Sequence, residues 1–280
     1  SRRSMADTGA AQLGALFAAA RADGRAVLLP YMTAGLPSPA ESLGIFTAMA
    51  DAGADGFEVG IPYSDPLMDG PTIHEAGLRA IDAGTALDTA LGIVEDVVAG
   101  TRKPVVVMTY VNPVLRVGPE TFAAWVRDAG GCGVIVADMP AEESYPFEDA
   151  FTAAGLGTVL FVAPTTDDAR LAEIAAHRPA FLYGVAELGV TGERAVVSSR
   201  AAALAHRVHA VTDIPLVLGV GISTPEHARA AAAVADGVIV GSALVRRVLD
   251  APDGAAAAEE LAKAVSALAA AVGGVRGVTK

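Results

Sequence analysis

The 280-residue chain has little cysteine and few basic residues. Its single cysteine, Cys132, cannot form an intramolecular disulfide, which favours a reducing compartment such as the cytoplasm. Lys and Arg number 20 against 32 Asp and Glu, and the formal net charge is −12. Nucleic acids and anionic membranes are bound by clustered Lys and Arg. We therefore expect a cytoplasmic protein that binds neither nucleic acid nor a membrane.

Long apolar runs and several ligand-binding motifs are also missing. No stretch approaches the roughly 20 apolar residues that a membrane-spanning helix requires. No GxGxxG sequence opens the first helix, which disfavours a dinucleotide-binding domain, and no GxxxxGK[ST] nucleotide loop is present. His206 and His209 have helical i, i+3 spacing, but no third ligand accompanies them in a zinc pattern. We predict no metal site.

The chain does contain a regular alternation of short apolar runs with alanine-rich helical segments. The apolar runs are nearly continuous rather than half polar, which is typical of parallel strands covered by helices. They lie at residues 26–33, 55–60, 104–110, 133–138, 158–163, 180–185, 215–220 and 236–241. Eight strands alternating with helices predict an α/β fold, the TIM (β/α)₈ barrel of ~250 residues. An open doubly wound sheet is the alternative.

The composition shows no linker, so the sequence predicts one (β/α)₈ barrel domain over residues 9–280. An extra N-terminal helix is predicted at residues 9–23, and the last barrel helix at residues 255–272. Residues 1–8 are expected to be a disordered or cloning-derived N-terminus.

Glu58 is an acidic residue near the C-terminal end of the second predicted strand, where TIM barrels hold their active sites. Phe57 and Val59 flank it, so strand alternation places them on the opposite face from Glu58. If that apolar pair packs on the helices, Glu58 points into the barrel mouth. Burial there would raise its pKa into the range of general acid-base catalysis. A structural ion pair is the alternative, although the first basic residue in or after a strand is Arg116.

Two further acids, Asp65 and Asp69, follow in the loop after this strand. Aspartate is common in turns and at helix N-termini, so each has an ordinary structural interpretation. The residues alone leave open whether either acid takes part in chemistry.

Glycines follow the last two predicted strands, at Gly219 and Gly221 and again at Gly241 before Ser242. TIM barrels often bind phosphate there, through backbone N–H groups and the N-terminus of a short helix. Each glycine could also simply end a strand. The glycine-rich segment 188–194 could be a lid over the site or an ordinary loop.

Several of these segments together resemble the α subunit of tryptophan synthase, from about residue 12 to 250. The matching segments are EVGIPYSDPLMDGPTI (58–73), VVVMTYVNPV (105–114), LGVTG (188–192), GVGIS (219–223) and VGSALV (240–245). The segment from Glu58 to Asp69 is highly specific, since other phosphosugar barrels share the phosphate glycines but not this loop.

The resemblance implies a lyase that cleaves indole-3-glycerol phosphate to indole and glyceraldehyde 3-phosphate in tryptophan biosynthesis, by a retro-aldol reaction. It assigns Glu58 as the general acid-base. Asp69 would bind the indole N–H and stabilise positive charge on the indolenine tautomer. The resemblance further assigns phosphate binding to Gly192, Gly221, Gly241 and Ser242. It assigns the substrate pocket to Tyr31, Met108, Tyr110, Tyr183 and Thr191.

The resemblance also implies a partner, a pyridoxal-phosphate-dependent β subunit that receives the indole in an α2β2 heterotetramer. The cofactor belongs to that partner, and none is expected in this chain. Asp65 and Pro66 would face the partner. Two alternatives remain at this point: another phosphosugar isomerase or synthase on the same fold, and a non-catalytic activator of a β subunit.

Overall fold

Eight parallel strands close into a barrel in the computed structural model, which describes residues 8–185, 190–191, 194–195, 199–219 and 221–274. The barrel strands are β1 Val27–Thr33, β2 Phe57–Gly60, β3 Val105–Thr109, β4 Gly133–Val136, β5 Gly157–Val162, β6 Phe181–Gly184, β9 Leu216–Leu218 and β10 Gly237–Val240. A separate antiparallel pair, β7 Val190–Thr191 and β8 Arg194–Ala195, follows β6. All eight predicted strands are present. Because β1 pairs with both β2 and β10, the barrel is closed, and the open-sheet alternative is wrong.

Twelve helices lie within the described residues. They are α1 Gly9–Ala22, α2 Pro39–Asp51, α3 Pro71–Asp82, α4 Leu87–Thr101, α5 Val111–Val117, α6 Pro119–Asp128, α7 Ala141–Ala153, α8 Asp168–Ala176, α9 Ser199–Val211, α10 Pro225–Ala232, α11 Ser242–Asp250 and α12 Gly254–Val272. The extra N-terminal helix and the last barrel helix are confirmed within one residue of their predicted ends. Of the residues predicted to form a disordered terminus, 1–7 lie outside the described part, and Thr8 caps α1 through its side chain.

Helix α1 covers the N-terminal ends of the strands. Leu13 is fully buried, and a Cβ added to Gly133 or Gly157 would lie 3.0 or 3.1 Å from its side chain. Gly9 lies so close to Cys132 that a Cβ there would be 2.5 Å from the Cys132 Cα. These contacts close one end of the barrel with apolar packing, so a ligand site must lie at the other end.

The charged groups at the closed end stabilise the fold. Asp55 accepts a hydrogen bond from the Leu28 N–H at 2.8 Å and pairs with Arg25 at 2.9 Å. Both oxygens of Asp55 are therefore occupied by structural partners.

In the part of the chain that the structure describes, we find no helix with the length and apolar character needed to cross a bilayer.

Candidate active site

A cavity of about 580 Å³ opens at the C-terminal ends of the strands. Glu58, Asp69 and Asp138 supply its carboxyl groups. The rest of the wall is apolar apart from the hydroxyl group of Tyr183. Its apolar residues are Leu67, Met68, Met108, Ile135, Ala137, Met139, Pro140, Phe161 and Val185. An apolar pocket with a few convergent polar groups suits a flat aromatic ligand with one polar edge.

Glu58 lies on β2, level with Tyr31 on β1 and Val106 on β3, and is 4% exposed. Its side chain faces the cavity, as the alternation of β2 predicts, and no described Lys or Arg forms an ion pair with it. Burial, with a smaller contribution from the nearby Asp69 carboxylate, raises the pKa of Glu58 to about 8. The carboxyl group is therefore mostly protonated at neutral pH and can act as a proton donor.

Asp69 lies in the loop 61–70 between β2 and α3. Its backbone N–H closes a turn to the Pro66 carbonyl at 3.2 Å, but Gly70, not Asp69, is the N-cap of α3. The carboxyl group lines the cavity instead. Burial raises its pKa, and this rise is opposed by the Tyr110 hydroxyl and by His74. Asp69 thus combines a structural backbone role with a side chain that is available to a ligand.

Of the four described aromatic and methionine residues predicted for the pocket, two line the cavity and two lie beside it. Met108 and Tyr183 are in the wall, and the Tyr183 ring lies 5.2 Å from that of Phe161. Tyr31 and Tyr110 are buried next to the cavity, at 6% and 1% exposure.

Tyr31 connects the two ends of the site. Its hydroxyl lies 3.3 Å from the Thr33 hydroxyl. A Cβ added to Gly241 would lie 3.6 Å from the Tyr31 Cβ, so the glycine that follows β10 packs directly on this tyrosine. Burial raises the pKa of Tyr31 first, and the Asp69 and Glu58 carboxyl groups raise it further. Tyr31 therefore lies between the acidic residues of the site, Glu58 and Asp69, and the glycine that follows β10.

The glycine end has the backbone geometry of an anion site. Helix α11 begins at Ser242, with Gly241 as the one residue between it and β10, and no side chain caps its N-terminus. The loop after the neighbouring strand β9 carries Gly221, whose φ of +75° favours glycine. A helix N-terminus and close backbone approach together suit a phosphate group. Gly192 and the Thr191 side chain, also predicted to bind substrate, lie outside the described part of the structure.

The tip of the Asp69 loop is exposed. Asp65 accepts a hydrogen bond from the Ser64 hydroxyl at 2.6 Å, and Leu67 and Met68 are 86% and 65% exposed. Leu115 on α5 is another exposed apolar residue, at 57%. Leu67 and Met68 also line the cavity, so their side chains are accessible both to a bound ligand and to a partner at this surface. Among the described residues, no group of three His, Cys, Asp or Glu side chains is placed to hold a metal ion.

Asp138 is the acidic cavity residue that sequence reasoning missed. It follows β4, within the run GVIVAD at residues 133–138, and lines the cavity. The rule that selected Glu58, an acid at the C-terminal end of a barrel strand, applies equally to Asp138.

Comparisons with known proteins agree on one family. The model of the tryptophan synthase alpha chain family matches residues 17–273. The alpha chain of Streptomyces coelicolor is 45% identical over 261 residues, which cover 93% of this chain and 95% of that protein. The alpha chain of Salinispora tropica is 46% identical and covers 93% and 97%.

Solved structures give the same result. A tryptophan synthase structure from Mycobacterium tuberculosis superposes with a TM-score of 0.84 at 39% identity, covering 93% of this chain and 98% of that one. The alpha subunit of tryptophan synthase from Legionella pneumophila str. Paris superposes with a TM-score of 0.84 at 31% identity, again covering 93% and 98%.

Proposed function

The chain belongs to the tryptophan synthase alpha chain family, and we propose that Glu58 and Asp69 carry out its lyase reaction in the cavity described above. The reaction, a step of tryptophan biosynthesis, cleaves indole-3-glycerol phosphate to indole and glyceraldehyde 3-phosphate. The observation that carries the residue assignment is that Glu58 and Asp69 line the same mostly apolar cavity and that the pKa of Glu58 is raised to about 8.

The proposed chemistry begins with the protonated carboxyl of Glu58. It donates its proton to C3 of the indole ring, which forms the indolenine and places positive charge on the ring nitrogen. The bond between C3 and the glycerol chain then breaks, and its electrons return to the ring. Glu58, now a carboxylate, takes the proton of the adjacent glycerol hydroxyl as that carbon becomes an aldehyde. The products are indole and glyceraldehyde 3-phosphate, and Glu58 is protonated again.

Asp69 would remain a carboxylate throughout. In that state it accepts a hydrogen bond from the ring N–H and stabilises the positive charge of the indolenine. The Tyr110 hydroxyl and His74 favour this ionised form against the effect of burial on the Asp69 pKa. The Asp69 carboxylate also raises the pKa of Glu58, so Glu58 remains a protonated acid while Asp69 remains an anion.

The substrate would lie with its indole among the apolar residues and with its phosphate at the glycine end. We assign the phosphate to Gly221, Gly241 and Ser242, together with Gly192, which lies outside the described residues. Met108 and Tyr183 would contact the indole directly, and Tyr31 and Tyr110 would support it from behind, with Thr191 closing the pocket.

The partner is a tryptophan synthase β subunit, which holds the pyridoxal phosphate, in the α2β2 assembly of the family. The α reaction needs no cofactor in this chain. The exposed residues Asp65, Leu67 and Met68 at the loop tip, with the half-buried Pro66 among them, support this side of the molecule as the partner contact. We further propose that residues 9–280 form one domain and that the protein works in the cytoplasm, which suits its single buried Cys132.

The test is indole release from indole-3-glycerol phosphate by the purified chain, alone and with a β subunit. We expect release in at least one setting, and a much slower reaction with the substrate that lacks the phosphate. Absence of indole in both settings would refute the lyase reaction and leave the role of a non-catalytic activator.

A further inference from the structure

Asp138 makes a specific contact to the start of helix α5. The Val111 N–H donates a hydrogen bond to Asp138 Oδ1 at 2.8 Å. Val111 is the first residue of α5, and the residue before it, Tyr110, provides no side-chain cap. A carboxylate from the loop after the neighbouring strand β4 therefore satisfies an N–H at the helix start that would otherwise lack a partner inside the helix.

This hydrogen bond holds the backbone directly after Tyr110. The Tyr110 side chain extends toward the loop 61–70, which carries Asp69. Its ring stacks on the Tyr63 ring, with centroids 5.2 Å apart and an interplanar angle of 28°. Burial raises the pKa of Tyr110, and the nearby Asp69 carboxylate raises it further. The Tyr110 hydroxyl thus lies close enough to the Asp69 carboxyl for each group to change the pKa of the other.

A second contact joins α5 to the same loop. The Asn112 side-chain amide donates a hydrogen bond to the Tyr63 hydroxyl at 2.9 Å. Tyr63 and Asp69 both belong to the loop 61–70. The start of α5 therefore contacts this loop through a ring stack and a hydrogen bond, and its own position depends on Asp138.

We propose that Asp138 is a positioning residue for Asp69: it fixes the start of α5, and Tyr110 and Tyr63 transmit that position to the loop. The inference deepens the proposed function, since it rests on Asp69 acting on the substrate. It predicts that the hydrogen-bond acceptor of Asp138, rather than its negative charge, supports the reaction.

Two substitutions separate the acceptor from the charge. Asp138→Asn keeps an oxygen that can accept from the Val111 N–H, whereas Asp138→Ala removes the acceptor. A misplacement of about 1 Å can cost about 100-fold in rate, so we expect Asp138→Ala to lower kcat by about 10- to 100-fold with KM changed by less than about threefold. Asp138→Asn should keep kcat within about threefold of wild type, because the hydrogen bond is retained.

The matched control is Asp55→Ala at the closed end of the barrel. Asp55 also accepts a backbone N–H at 2.8 Å, from Leu28, but it is remote from the cavity. The Asp55→Ala variant should have a lower melting temperature than wild type and an unchanged kcat. If Asp138→Asn is as slow as Asp138→Ala, the charge acts directly on the substrate and the positioning role is wrong. Wild-type kcat in Asp138→Ala would also overturn it.

A readout that needs no reaction separates this inference from the lyase assignment. In protein labelled with 3-fluorotyrosine, the Tyr110 resonance is identified by its loss in Tyr110→Phe. We expect that resonance to shift in Asp138→Ala but to stay in place in Asp138→Asn and Asp55→Ala. An unchanged resonance in Asp138→Ala overturns the positioning role whether or not the wild type releases indole.

Discussion

The Tyr31 hydroxyl occupies the space in which a side chain on Gly60 would have to begin. A Cβ added to Gly60 would lie 2.1 Å from that hydroxyl oxygen, on the strand that also carries Glu58. The same relationship recurs across the barrel, where a Cβ on Gly219 would lie 2.0 Å from the Tyr183 hydroxyl. Tyr31 and Tyr183 therefore each need a glycine beside the hydroxyl group. Gly60 is the last residue of β2, and Gly219 directly follows β9.

Gly60→Ala should be destabilising, because the rigid, buried Tyr31 ring must move to accept the methyl group. Overpacking of this kind costs about 1–3 kcal/mol of unfolding free energy. Urea denaturation measures the loss. In the double variant Gly60→Ala with Tyr31→Ala, the cost should be less than the sum of the two single costs, since the colliding ring is gone. Strict additivity would show that the two residues do not interact.

The stability of the protein should depend on pH through Glu58. Its pKa is about 8 in the folded state against an ordinary value of 4.5, so between these pH values the folded protein holds a proton that the unfolded chain has lost. This linkage makes the unfolding free energy decrease as pH rises from about 4.5 to about 8. The Glu58→Gln variant has no titrating group at this position, so this part of the pH dependence is absent from it.

We therefore expect Glu58→Gln to gain stability relative to wild type by a few kcal/mol between pH 5 and pH 8, in denaturant titrations at several pH values. The exposed Glu120 gives the control, since Glu120→Gln should run parallel to wild type. A constant difference between Glu58→Gln and wild type across this range would contradict the raised pKa.

Asp69→Asn should abolish most of the activity while it keeps the shape of the site. The amide cannot neutralise the positive charge of the indolenine, and loss of one such electrostatic contact costs about 100- to 1,000-fold in kcat. Steady-state kinetics of indole release gives kcat and KM. Asp82→Asn, at the exposed end of α3, should match wild type. Asp69→Asn with wild-type kcat would remove the carboxylate from the mechanism.

Gly221→Ala should weaken substrate binding more than it slows the chemical step. Its φ of +75° is strained for alanine, and the loop must shift away from the position proposed for the phosphate. We expect KM to rise by about tenfold, the equivalent of one lost contact of about 1.4 kcal/mol. Gly24→Ala has a similar strain, at φ +67°, in the turn after α1. An equal rise of KM in both variants would argue against a phosphate contact at Gly221.

Much of this architecture follows from the sequence, because a buried parallel strand requires a continuous apolar run and the eight runs mark the eight strands. The alternation of Phe57, Glu58 and Val59 was enough to predict that Glu58 faces the cavity. The position of Asp69 was not predictable from its spacing, since an aspartate before Gly-Pro is compatible with a turn, a cap or a catalytic group. The structure separates the turn made by its backbone from the cavity position of its side chain.

The contacts between strands could not be predicted. Tyr31 packs against Gly60, at the end of β2, and against Gly241, directly after β10, and these glycines lie far apart in the sequence. The contact between Asp138 and Val111 likewise joins residues 27 positions apart. Such contacts are fixed by the closure and register of the barrel, which local residue patterns do not contain.

The ionisation of the Glu58 carboxyl group decides whether the proposed proton transfer to the indole ring can occur. Carbon-13 NMR of protein labelled at the glutamate side-chain carboxyl follows each group through a pH titration, and Glu58→Gln identifies the Glu58 resonance by its absence. The proposed mechanism requires that this carboxyl titrates near pH 8, as expected for the protonated acid that starts the reaction. A titration midpoint near the ordinary value of 4.5 would contradict it, because Glu58 would then be ionised at neutral pH and could not donate the first proton.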